Sequence, residues 1–165
     1  ILHASKGIPS WRVSAMPWML MASGLLEGAG LVALILSIFS QSLVAPILLP
    51  VTGLVLAAVN AVFWRTYVIN AKTNGIGPHS RMILFSHNLK VHAVAHLFPA
   101  LLLMLFIALP TPPATLLGAA GALILIGGAY WKGLVITRAC HQQGFALAKF
   151  PQRGSGKYAA PTLGI

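Results

Sequence analysis

Glu27 is the only acidic residue in a chain of 165, and it lies inside the apolar run Pro17 to Phe39, PWMLMASGLLEGAGLVALILSIF. A charged side chain at the centre of a membrane helix costs about 2.5 to 3.5 kcal/mol on insertion scales, so an intramembrane carboxylate points to function first. His92 and His96 stand four residues apart, on one face of a helix. Asn60 sits in a second apolar run, and Arg65 follows it. Together these side chains offer donors for two carbonyl oxygens, a protonatable group and apolar walls. A quinone head group and its tail need that combination. Other readings stay open. Glu27 either handles a proton or makes a hydrogen bond that only packs two helices. His92 suits a headgroup position at a helix end, and His96 suits a bond to a neighbouring helix or loop.

Positioning these residues is a task for membrane helices. Hydrophobic residues make up 58% of the chain and charged residues only 7%, with a mean hydropathy of +0.86. Soluble domains carry about 25% charged residues, so the chain reads as an integral, all-α membrane protein. Four runs are long enough to span, at about 17–39, 44–64, 91–109 and 115–135. They form a four-helix transmembrane domain over 17–135, between a segment 1–16 and a basic tail 136–165. Ser23, Glu27 and Gly30 share a face that should point into the bundle. Gly24 and Gly28, and Gly118, Gly121 and Gly128, form small-residue patterns that allow close approach. Pro99 is positioned to kink the third helix. Met82 to Phe85 either lie at the interface or begin that helix.

Charge sets the expected topology. All 11 Lys and Arg fall in segment 1–16, in the stretch 65–90, or from Lys132 onward, and none lies in the other two loops. The positive-inside rule then places both termini in the cytoplasm. Trp11, Trp18, Trp64 and Trp131 mark the same face as interfacial anchors. The net charge of +10 is topological, and no nucleic-acid partner is expected. At about 1.5 Å per residue, Glu27 is about 15 Å deep and His92 and His96 lie within about 8 Å of the cytoplasmic end. Asn60, Arg65, His92 and His96 then line one inner-leaflet pocket, with Glu27 above it.

Metal chemistry is disfavoured. The single cysteine, Cys140, provides no CxxC motif for a metal or an iron–sulfur cluster. A b-type haem needs two facing axial histidines, and only the third helix carries membrane-embedded His. The chain begins at Ile1 without a signal-peptide pattern, as expected of a processed chain or a part of a longer one.

ILHASKGIPSWR before the first helix, SGLLEGAGL within it, and the tail RACHQQGFALAKFPQRG resemble membrane-anchor subunits of the polysulfide reductase and DMSO reductase type. Anchors of phenylacetyl-CoA:acceptor oxidoreductase-like complexes are the most similar. Such anchors usually have about twice as many helices, and this chain resembles their second half. The resemblance implies a haem-free anchor that exchanges electrons with ubiquinone or menaquinone. Its implied partners are a four-cluster, ferredoxin-like iron–sulfur subunit and a molybdopterin catalytic subunit. It also implies a bacterial or archaeal cytoplasmic membrane, with substrate chemistry outside this chain. The matched stretches offer Lys6, Trp11, Arg12, Arg138, His141, Gln143, Lys149 and Arg153 for docking the iron–sulfur subunit. Two alternatives stand beside this reading. One is a purely structural anchor with the quinone site in another chain, and the other is half of a proton or ion transporter.

Overall fold

A computed structural model describes residues 9–11, 13–39 and 47–139. Among these residues there is no strand. A 3-10 turn at Pro9–Trp11 leads into four long helices: α1 (Ala15–Phe39), α2 (Leu48–Ile69), α3 (Pro78–Ala108) and α4 (Ala114–Ala139). Each is long and apolar enough to cross a membrane. The helices form a bundle in which α1 packs on α2 and α4, and α3 packs on α2 and α4. α1 and α3 therefore face each other across the diagonal.

The helices run past the expected limits where a core residue requires it. α2 continues from residue 64 to Ile69 because Tyr67 and Val68 fill the interior. α3 starts at Pro78 instead of residue 91. Proline suits a first helical position, and Ser80, Leu84 and Val91 then make one buried stripe along an otherwise polar segment. The turn between α2 and α3 is confined to residues 70–77. It closes at Gly75, whose φ of 76° favours glycine. At about 1.5 Å per residue, the 31 residues of α3 extend about 46 Å. A hydrocarbon core is about 30 Å thick, so the first turns, with His79, Arg81 and Lys90, project from it.

Residues His92–Leu97 form a π-helical turn within α3. Pro99 has no N–H, and its ring crowds the carbonyl four residues back. The widened turn answers this, with the Phe98 N–H donating five residues back to the Ala93 oxygen. A second π-helical stretch, Leu134–Ala139, ends α4. There the Thr137 hydroxyl donates to the Gly133 oxygen at 2.6 Å and competes with the helix ladder.

Two apolar clusters fill the interior. One, at the end with the 70–77 turn, gathers Met19, Trp64, Tyr67, Leu84, Val91 and Trp131. The other, toward the opposite end, holds Leu26, Ala57, Leu103, Phe106, Leu117 and Ile124. Trp64 and Trp131 were expected at the headgroups. They are instead buried across the bundle diagonal, with ring centroids 6.2 Å apart. Trp18 alone keeps a strongly exposed position among the described tryptophans. Leu25, Val62, Phe85 and Ile126 face outward, as lipid-facing residues do.

Glycines set the helix spacing, but not the pair expected on α1. Gly24 and Gly28 are exposed and touch nothing within 4 Å. Gly30 is the α1 contact: a Cβ there would lie 2.8 Å from Ile124 Cγ2. On α4, a Cβ at Gly121 would overlap the Gly30 carbonyl, and one at Gly118 would overlap Ser37. The α4 small-residue stripe is thus the seam against α1.

Candidate functional site

The expected pocket divides into two separate constellations. Glu27 belongs to the α1–α4 interface. Its carboxylate accepts from the Ser23 hydroxyl at 2.6 Å and from Lys132 Nζ at 2.7 and 2.8 Å. Trp131 Nε1 donates to the Ser23 oxygen at 3.3 Å, and Lys132 Nζ stands 5.8 Å from the Trp131 ring centroid. The room for the carboxylate comes from Gly128, where a Cβ would overlap it. Glu27 therefore faces α4, and the bundle diagonal lies between its helix and that of His96. The Glu27–Lys132 ion pair, with Ser23 donating beside it, joins α1 to α4 at this level.

Lys132 is the residue that sequence reasoning missed. It was read as the end of the fourth helix, yet α4 continues to Ala139. A signal was present: Gly128 and Lys132 are spaced i,i+4, as are Ser23 and Glu27. Two such faces pack together when a small residue on one admits a charge from the other.

The second constellation lies between α2 and α3. Trp64 Nε1 donates to Asn88 Oδ1 at 2.8 Å. Toward the other end, a Cβ at Gly53 would meet Leu103 Cδ1 at 3.0 Å. This antiparallel register puts Asn60 opposite the His92–Leu97 turn. Asn60 is 2% exposed and His96 6%. Asn60 Oδ1 and both His96 ring nitrogens have no hydrogen-bond partner among the described residues. Well over nine in ten buried polar groups find a partner, so this cluster is unusual. The His92 ring, half-buried, lies 5.4 Å from that of His96. Arg65, exposed near the end of α2, is a coulombic neighbour of His92. His92 and His96 are thus neighbours on α3, and Asn60 and Arg65 lie on the helix that packs against them. π-turns such as the one carrying both histidines recur at functional sites.

Trp11 lines a small apolar slot of about 130 Å³ with Met16, Leu20, Trp131 and Lys132. Arg138 lines a wider cavity of about 350 Å³ between α3 and α4. Neither cavity is lined by Asn60, His92 or His96. Lys6, Arg12, His141, Gln143, Lys149 and Arg153 lie outside the described residues. Compared with protein-family models, curated protein sequences and solved structures, the chain matches none.

Proposed function

We propose that this chain is the membrane anchor of a molybdopterin and iron–sulfur oxidoreductase complex, exchanging electrons between membrane quinone and the iron–sulfur subunit. The observation that carries the reading is the unsatisfied polar group set of Asn60 and His96, buried at the π-turn of a membrane-spanning helix. Leaving such groups unpaired costs about 1 to 3 kcal/mol each, and a quinone/quinol head group can remove that cost. A His96 ring N–H donates to one quinone oxygen, and Asn60 Oδ1 accepts from the hydroxyl of the quinol form. The bound quinone supplies two-electron, two-proton redox chemistry. His92 passes protons between His96 and the exposed Arg65 end, and the neighbouring apolar residues hold the tail. The membrane is that of a bacterium or archaeon, and both termini face the cytoplasm, as the one-sided Lys and Arg distribution suggests.

A purely structural anchor is the second reading. It is favoured by the closed Glu27–Lys132 pair and by cavities that lie away from Asn60 and His96. The test uses the full chain in detergent, titrated with a ubiquinone or menaquinone analogue while tryptophan emission is recorded. Trp64 is one helical turn from Asn60 and reports binding. Saturable quenching that is lost in His96→Leu and Asn60→Leu supports the quinone reading. Equal quenching in all three proteins refutes it and leaves the structural anchor. Co-purification of iron–sulfur and molybdopterin subunits tests the assembly.

A further inference from the structure

The wider cavity between α3 and α4 has a lining that the quinone reading does not use. Its walls are Ala129, Gly133 and Leu134, and its polar rim is His87, Tyr130, Thr137 and Arg138. Arg138 is exposed in the last turn of α4. His87 Nδ1 donates to the Ile83 oxygen at 3.0 Å, which fixes its ring at the cavity wall. The His87 and Tyr130 rings stand 6.5 Å apart at 45°, one on each helix. The one carboxylate of the chain, Glu27, is engaged by Lys132 on the α1 side of α4. The rim therefore offers an anion the Arg138 guanidinium and the Tyr130 phenol as donors, with no counter-charge from an acidic residue. A guanidinium fork matches phosphate oxygens in geometry as well as charge.

The position of the cavity narrows the ligand. It opens between two membrane-spanning helices, at the end where α3 projects with His79, Arg81 and Lys90. Below the rim the outer surface of α4 is apolar, with Ile126 exposed. A phosphate held there by an acyl-chain lipid satisfies both halves of the surface. Basic pockets between membrane helices commonly take anionic lipid headgroups. We propose that the His87, Tyr130, Thr137 and Arg138 cavity binds the phosphate of one anionic phospholipid. Its acyl chains run along the α3–α4 groove. The site is independent of the quinone reading, and it assigns Arg138 to lipid rather than to subunit docking.

The test is native mass spectrometry of the full chain released from mixed phosphatidylcholine and phosphatidylglycerol bicelles. Wild type should retain one phosphatidylglycerol in preference to phosphatidylcholine. Arg138→Gln should lower that retention by about tenfold, the loss of one charge-assisted phosphate contact. Lys72→Gln removes an exposed cation from the 70–77 turn and should leave retention unchanged. Thermal melting of each variant in phosphatidylcholine alone reports folding separately. Three results would overturn the proposal: unaltered retention in a folded Arg138→Gln protein, equal loss in Lys72→Gln, or equal retention of the two lipids. Displacement of the lipid by inorganic phosphate at millimolar concentration would assign the site to a soluble phosphate instead.

Discussion

The Glu27–Lys132 pair can be weighed by a double-mutant cycle. Its side chains are 23% and 30% exposed, so it is neither a surface pair nor a sealed one. Removing one member of a buried pair typically costs about 3 to 5 kcal/mol, because the other charge is stranded. Lys132 lies seven residues from the end of α4, about 10 Å at about 1.5 Å per residue. Its flexible stem can carry the ammonium part of that way to water. Screening at a partly exposed site lowers the figure further. We expect Glu27→Gln and Lys132→Met each to cost about 1 to 3 kcal/mol. The double variant should cost less than the sum of the two, a coupling of about 1 to 2 kcal/mol. Gln is chosen because Gly128 packs directly on the Glu27 carboxylate and tolerates no larger group. Equilibrium unfolding in bicelles by a steric-trap readout gives all four corners of the cycle. Additivity within about 0.5 kcal/mol would refute the argument that these charges stabilise the bundle through each other.

Glycine positions separate cleanly. Gly121→Ala, facing the Gly30 carbonyl, should lower stability by about 1 to 3 kcal/mol as two backbones are forced apart. Gly28→Ala, in open space, should be neutral or raise stability by up to about 1 kcal/mol, measured by the same unfolding assay. Trp64→Phe removes the donor to Asn88 and should cost about 1 kcal/mol beyond its packing loss, provided that Asn88→Leu abolishes the difference. Asn60→Leu should stabilise the ligand-free chain by about 1 kcal/mol while it removes quinone-analogue quenching, a trade-off that thermal melting and fluorescence test together.

Hydropathy gave the number of spanning helices and the limits of α1 within two residues, because a membrane helix must be apolar over most of its length. The start of α3 was hidden for the opposite reason. Its first turns project from the hydrocarbon, so only Ser80, Leu84 and Val91 are fully buried in that segment, and the remainder reads as a loop. Trp64 and Trp131 misled because indole serves equally at a headgroup and in a core, and neighbouring Arg65 and Lys132 suggested the interface. The i,i+4 spacing of His92 and His96 carried over into real proximity. The partner of Glu27 did not show in one helix alone, since an ion pair between α1 and α4 depends on register. The cavity of His87, Tyr130 and Arg138 gathers residues more than 40 positions apart, which no local pattern records.

The buried tryptophan contact has a consequence for permeation. Trp64 and Trp131 close the bundle axis at the end where the basic segments gather, and each is almost fully enclosed. A file of water along that axis would have to pass between two buried indoles whose ring centroids are 6.2 Å apart. An axial route for ions is therefore shut at one end in the resting bundle. On the proposed reading, a proton exchanged at His96 would leave laterally instead, past His92 toward Arg65 at the rim of α2. On the proposed quinone reading, electrons that arrive from the iron–sulfur subunit would be matched by protons taken up from the same side.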